Sequence, residues 1–180
     1  LSVPKILRSE RIYRGRALNL RVDTIQMLSG RTTTREVVEH GGSVAIVAID
    51  ADDNVLLVRQ FREPVGEVLL EIPAGGIDPH EEPDACAQRE LREETGYCAE
   101  RMERLGGFYS SPGFCTEYMH LFLATKLCPS PLVAADTEAI ELVRVPLNEV
   151  RGLITSGEIC DAKTIAGLLL VLGKRKGELD

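Results

Sequence analysis

Gly75-Gly76-Ile77-Asp78-Pro79-His80-Glu81, continuing to Arg89-Glu90-Leu91-Arg92-Glu93-Glu94-Thr95-Gly96-Tyr97, decides how this chain is read. Between the two pieces, Pro83 and Gly96 bracket a helix over about 83–95, with proline in its first turn and glycine just past its end. On such a helix Glu90 and Glu94 lie about 40° apart, and Glu93 falls about 60° to the other side of Glu90. Three carboxylates then crowd an arc of about 100°, where like charges oppose helix formation. Arg89, four residues before Glu93, can pair with that carboxylate. The remaining negative charge suits hard divalent cations that prefer oxygen, such as Mg²⁺ or Mn²⁺.

Working outward, the texture is that of strands. Downstream of Gly41-Gly42, Ser43 to Ile49 is a continuous apolar run, and Val55 to Val58 is a second. Both suit strands buried on two faces. Val68 to Ile72 reads as a third, stopped by Pro73. Leu105 to Ser110, His120 to Lys126 and Ile140 to Val145 are further strands, a helix is expected from Pro146 to about Thr155, and a last helix from about Ala162 to Lys174 with Asp161 as its N-cap. The first forty residues also read as strands. Leu18, Leu20, Val22 and Thr24 alternate with Asn19, Arg21, Asp23 and Ile25, and Ser29-Gly30-Arg31 turns the chain back into a return strand over 32–39. The pattern is α+β: many strands, a central helix and two terminal helices. Residues 1–41 are expected as a separate β arm and 42–180 as the main domain.

Composition excludes several functions. The chain has 180 residues, a formal charge of −7 and 4% aromatic residues without tryptophan. An acidic surface with so few stacking rings argues against a nucleic-acid polymer as partner. The longest apolar tract, Leu168 to Leu172, is far short of the roughly 20 residues that span a bilayer. No basic and apolar leader opens the sequence. Cysteines at 86, 98, 115, 128 and 160 show no CxxC spacing and read as reduced thiols. A soluble cytoplasmic protein is expected.

The segment 75–97 matches Gx5Ex7REUxEExGU at every specified position, with Leu91 and Tyr97 as the bulky apolar U residues. It resembles the Nudix hydrolase family. The resemblance implies a mixed sheet sandwiched between helices, with the motif as a loop–helix–loop. It implies water attack on a diphosphate joining a nucleoside to another group, with two or three Mg²⁺ ions per site (Mn²⁺ as a substitute). Glu90 and Glu94 would bind metal, Glu93 would ligate or brace nearby, and Ala74 would offer its backbone carbonyl. Arg89 would support this face, and Glu81 would stand at the metal site's edge or fix the loop.

The likeness extends to one branch, the ADP-ribose pyrophosphatases, through Tyr13-Arg14-Gly15, 35–41, Gln60-Phe61-Arg62, 71–75, 161–164 and Ser110-Ser111-Pro112-Gly113. Pro112 stands sixteen residues beyond Gly96. The branch implies substrate contacts from Arg35 and Arg62, whose guanidinium forks fit phosphate oxygens, and from Glu117 to a ribose hydroxyl. It implies a homodimer with exchanged N-terminal sheets, and a general base from a loop outside the motif. Glu138 is favoured for that base, Asp136 is next, and Glu141 is read as a strand surface residue. Arg16 departs from the branch, where relatives carry an aromatic for adenine. Expected products are AMP and ribose 5-phosphate. The rivals are another nucleoside diphosphate sugar such as GDP-mannose, or a non-catalytic ADP-ribose sensor.

Overall fold

The computed structural model describes residues 3–132 and 140–177. Two compact units emerge, Leu1–Gly42 with Tyr109–Tyr118, and Ser43–Phe108 with Met119–Asp180.

The first unit is a three-stranded antiparallel sheet in the order β1 (Lys5–Arg14), β2 (Leu18–Gln26), β3 (Thr32–His40). The turn between β2 and β3 closes with Met27 N–H donating to the Arg31 carbonyl at 2.8 Å. The loop 110–117 docks on β3. Val38 N–H donates to the Phe114 carbonyl at 2.8 Å, and Thr116 N–H donates to the Val38 carbonyl at 3.0 Å.

The second unit is built around β4 (Ser43–Ile49), every residue of which is buried. Period-two alternation splits its side chains between two cores. Val44, Ile46 and Ala48 face Cys86, Ala87 and Leu91 of α1 (Pro83–Thr95). Ala45, Val47 and Ile49 share the other core with Val150 of α2 (Val150–Ser156) and with Leu168 and Val171 of α3 (Ala162–Arg175). One continuous apolar run therefore dictates a sheet covered on both faces.

The sheet adds β5 (Asn54–Arg62), β6 (Glu67–Glu71), β7 (Ala74–Gly76), β8 (Tyr97–Tyr109), β9 (Tyr118–Pro129) and β10 (Glu141–Pro146). Its main path is β10-β5-β4-β9-β8, with β6 paired to β5 and β7 to β4. The β4–β9 pair is parallel while β5, β6, β7 and β10 pair antiparallel, so the sheet is mixed. β4 and β5 pair directly at Ala48–Leu56 and Ile49–Val55. Beyond that point they diverge, and the β6–Pro73–β7 segment bridges from one to the other.

Several boundaries differ from expectation. Pro73 ends β6, but the chain resumes pairing at once as β7, and the Pro73 carbonyl accepts from Ile46 N–H at 2.8 Å. β8 begins eight residues earlier than its apolar pattern suggested. α2 starts at Val150, because Pro146 still pairs with Asn54 and Leu147 N–H donates to the Asp53 carbonyl. The cysteine reading needs correction. Cys98 and Cys128 are joined as a disulfide with Cα atoms 5.4 Å apart, leaving Cys86, Cys115 and Cys160 free. Their thirty-residue separation hides a proximity that arises only when β8 lies beside β9. No helix among the described residues is long and apolar enough to cross a membrane.

Candidate active site

The motif folds as a loop, β7 and the helix α1. Pro83 opens the helix, and Gly96 closes it in the left-handed region (φ 78°), donating its N–H to the Arg92 carbonyl at 3.0 Å. A residue with a Cβ is strained in that conformation, which explains the glycine. Cys86, Ala87, Leu91 and Thr95 face the core. That leaves Glu90, Glu93 and Glu94 along the flank of the helix.

Arg89 is the hub of this flank. Its Nε donates to Glu81 Oε1 and one terminal nitrogen to Glu81 Oε2, both at 2.9 Å. The other terminal nitrogen reaches Glu90 at 2.6 Å and Glu93 at 3.1 Å. The expected Arg89–Glu93 pair is present, but the two-point partner is Glu81. Glu81 also accepts from Asp78 N–H at 3.1 Å, so it ties the loop to the helix. The Arg89 guanidinium holds its carboxyl down at about 2.

Glu90 and Glu94 sit differently. The Glu90 carboxylate lies against Gly75, where an added Cβ would fall 2.0 Å from its carboxyl carbon. The first glycine of the motif is thus a space left for a carboxylate. Glu94 accepts from Ala74 N–H at 3.1 Å. Burial pushes Glu90 upward despite Arg89, and pushes Glu94 up to about 8. Burial and the neighbouring carboxylates both favour the protonated form of these two groups.

Among the described residues no three His, Cys, Asp or Glu side chains close into a metal cage. Glu90 and Glu93 turn to Arg89 instead. Magnesium does not require such a cage, because it keeps several waters and takes one or two carboxylates plus substrate phosphates. Glu90 beside Gly75 and Glu94 on the Ala74 N–H are oxygen donors of the kind that suits a hard cation.

Arg62 lies at the end of β5 and forks onto Glu71 of β6, with both bonds at 2.8 Å. Glu71 is 1% exposed and also accepts from Lys163 of α3. Burial works to raise its carboxyl, but Arg62 and Lys163 outweigh that and hold it below the ordinary range. Sequence reasoning missed this partnership. The available signal was a lone charge in Val68-Leu69-Leu70-Glu71-Ile72, a place where a carboxylate needs a partner.

In the first unit, Arg35 is exposed on β3 and donates to the Thr34 carbonyl at 2.9 Å. Pro112 is exposed in the turn where Cys115 N–H donates to the Ser111 carbonyl at 2.8 Å. Glu117 ends the same loop, its carboxylate 3.5 Å from His40 Nδ1. The unit therefore brings Arg35, Pro112 and Glu117 onto β3 and the loop docked against it. Asp136 and Glu138 lie outside the described residues. Glu141 is exposed on β10, opposite Arg59.

The sheet is covered on both faces, and an acidic loop–helix–loop runs along one side of it. The NUDIX domain model matches residues 39–168, and the chain belongs to the Nudix family. It is 38% identical over 162 residues to the ADP-ribose pyrophosphatase of Bacillus subtilis (strain 168), covering 89% of this chain and 88% of that protein. It is 39% identical over 163 residues to the methanol dehydrogenase activator of Bacillus methanolicus, with the same coverage of 89% and 88%. A crystal structure of an ADP compounds hydrolase superposes with a TM-score of 0.90 at 28% identity, covering 99% of this chain and 97% of that one.

Proposed function

We propose that this protein hydrolyses the diphosphate bond of ADP-ribose to AMP and ribose 5-phosphate. The observation that carries this reading is the intact motif, folded so that Glu90 and Glu94 converge with Ala74, in a chain alignable over 89% of its length with an ADP-ribose pyrophosphatase. Water attacks one phosphorus, the bridging P–O bond breaks, and each phosphate leaves on its own half of the substrate. Glu90, Glu94 and the Ala74 carbonyl would hold two or three Mg²⁺ ions, with Mn²⁺ a substitute. When bound, the metal neutralises the diphosphate and acidifies the attacking water.

The chain's own groups do the rest. Arg89 braces Glu81, Glu90 and Glu93 and so fixes the ridge. Arg62 and Arg35 are assigned to substrate phosphates or the terminal ribose, and Glu117 and the Pro112 turn to its edge. The proton of the attacking water goes to Glu138, with Asp136 as the alternative base. Residues 1–41 act as an arm of a homodimer, and 42–180 as the hydrolase domain. Every residue of β1 is exposed, including Ile6, Leu7, Ile12 and Tyr13, which supports a face awaiting a second copy.

The test is a panel of ADP-ribose, GDP-mannose, NADH and 8-oxo-dGTP with Mg²⁺, scored by chromatography of the nucleotides released. ADP-ribose should be cleaved fastest, yielding AMP. Comparable rates on all four would defeat the substrate choice, and binding of ADP-ribose without hydrolysis would favour a sensor.

A further inference from the structure

We infer that Lys163 and Thr164, in the first turn of α3, are positioning residues that set where the Ala74 carbonyl and the Glu94 carboxylate stand. The inference rests on the metal-binding reading of those two groups.

The connection can be followed bond by bond. Asp161 caps α3, accepting from Thr164 N–H at 3.0 Å, from the Thr164 hydroxyl at 2.5 Å and from Lys163 Nζ at 3.0 Å. The Lys163 ammonium also donates to Glu71. The Thr164 hydroxyl, its proton given to Asp161, accepts from Ile72 N–H at 3.0 Å. Glu71, the last residue of β6, and Ile72 just after it are therefore held by two successive residues of one helix turn. One turn later, Gly167 brings α3 so close to Ile72 that a Cβ there would meet its Cδ1 at 3.1 Å.

Pro73 comes next and has no N–H to give, so this stretch cannot be fixed through its own amide. Its carbonyl accepts from Ile46, and the following N–H, that of Ala74, reaches Glu94. Ala74 pairs with Ala45 of β4, and it is also tied to α3 through Glu71 and Ile72 and to α1 through Glu94. Loss of the α3 anchors would leave β4 and α1 alone to hold the carbonyl, and metal coordination tolerates only a few tenths of an ångström.

Stability alone does not call for these charges. Glu71 and Lys163 are 1% and 9% exposed, and apolar residues of similar volume commonly fill such places as well or better. Their position, one proline away from a proposed metal ligand, gives the pair a use.

The test separates geometry from charge. Lys163→Met alone would leave Glu71 and Asp161 in excess, and that added negative field would attract cations. In the double variant Glu71→Gln/Lys163→Met one charge of each sign disappears. Mn²⁺ affinity of the unliganded protein, read by water-proton relaxation, should fall about tenfold or more. The metal concentration for half-maximal hydrolysis should rise alongside it. Exchange of the Ala74 amide should quicken. Thr164→Val, which removes the Ile72 anchor at nearly constant volume, should do the same to a smaller degree, and Thr164→Ser should restore native values. A folded double variant with native Mn²⁺ affinity and native Ala74 exchange would overturn the inference. If the double variant does not fold, Thr164→Val decides by the same two readings. Should the native protein take up no Mn²⁺ at all, the functional reading fails, while Ala74 exchange still reports on the positioning.

Discussion

Glu71 and Glu94 lie on the two sides of Pro73 and differ in what burial does to them. Glu71 is 1% exposed, yet its carboxyl is held below the ordinary glutamate range, because Arg62 and Lys163 surround it with donors. Glu94, also shielded from water, accepts from one backbone N–H and is pushed up to about 8 by burial. Burial by itself therefore does not set the direction in which a carboxylate shifts. What distinguishes them is whether the protein itself supplies the compensating cations. Around Glu71 it does. Around Glu94 it leaves a deficit that a divalent ion can fill.

The largest expected effect tests that deficit directly. Glu94→Gln should lower kcat by about a thousandfold while leaving the melting temperature unchanged or slightly raised, since the variant no longer shields an ionisable carboxyl from water. Melting curves and steady-state kinetics check both halves. A variant keeping more than a tenth of native activity would remove Glu94 from the metal site.

Glu71→Gln should do the reverse, costing stability first. It leaves the Lys163 ammonium buried with a weaker acceptor, at a cost of about 3 kcal/mol in denaturant unfolding. The dependence on pH has a definite sign. Glu71 has a depressed folded value, so its contribution is complete above the ordinary glutamate value of about 4.3 and disappears as pH falls through the lower folded value. Native and variant stabilities should converge in that acid range. A gap that stays constant to the lowest pH at which the fold survives would mean that the ionised carboxylate is not the source of the stability.

Gly75→Ala is expected to be milder. Its Cβ would displace the Glu90 carboxylate, but not abolish it, so activity should drop about tenfold with a small change in stability. Native activity in this variant would show that Glu90 can relocate without penalty.

These residues were not equally legible. The helix and its three carboxylates could be read because Pro83, Gly96 and the 3.6-residue period are local features, and the two-faced sheet because β4 is apolar without interruption. β7 escaped because three residues after a proline carry no period. The Arg62–Glu71 fork depends on strand register across nine residues, and the Lys163 contact on a helix ninety-two residues away in sequence. Glu81 could be placed in the motif but not given a partner, since Arg89 had a nearer acid at Glu93. Local chemistry could be read from the chain. Which charges cancel could not, because cancellation is decided by packing.

The smallest effect expected concerns a group that shares Glu94's raised proton affinity without sharing its role. Cys86 lies on the core-facing side of α1, and burial pushes its thiol up to about 12. A neutral thiol is no nucleophile, and the same burial blocks a reagent's approach. Cys160 is exposed and Cys115 partly so. A maleimide should therefore label Cys160 first, Cys115 more slowly and Cys86 only on unfolding, with the Cys86 rate flat between pH 7 and 9 (by mass spectrometry of tryptic peptides). Labelling of native Cys86 as fast as Cys160 would mean that this face of α1 opens readily. The carboxylates on the neighbouring flank would then be less shielded than the comparison with Glu71 requires. A raised proton affinity marks a site only where a ligand can reach it and relieve it, and at Cys86 the core prevents both.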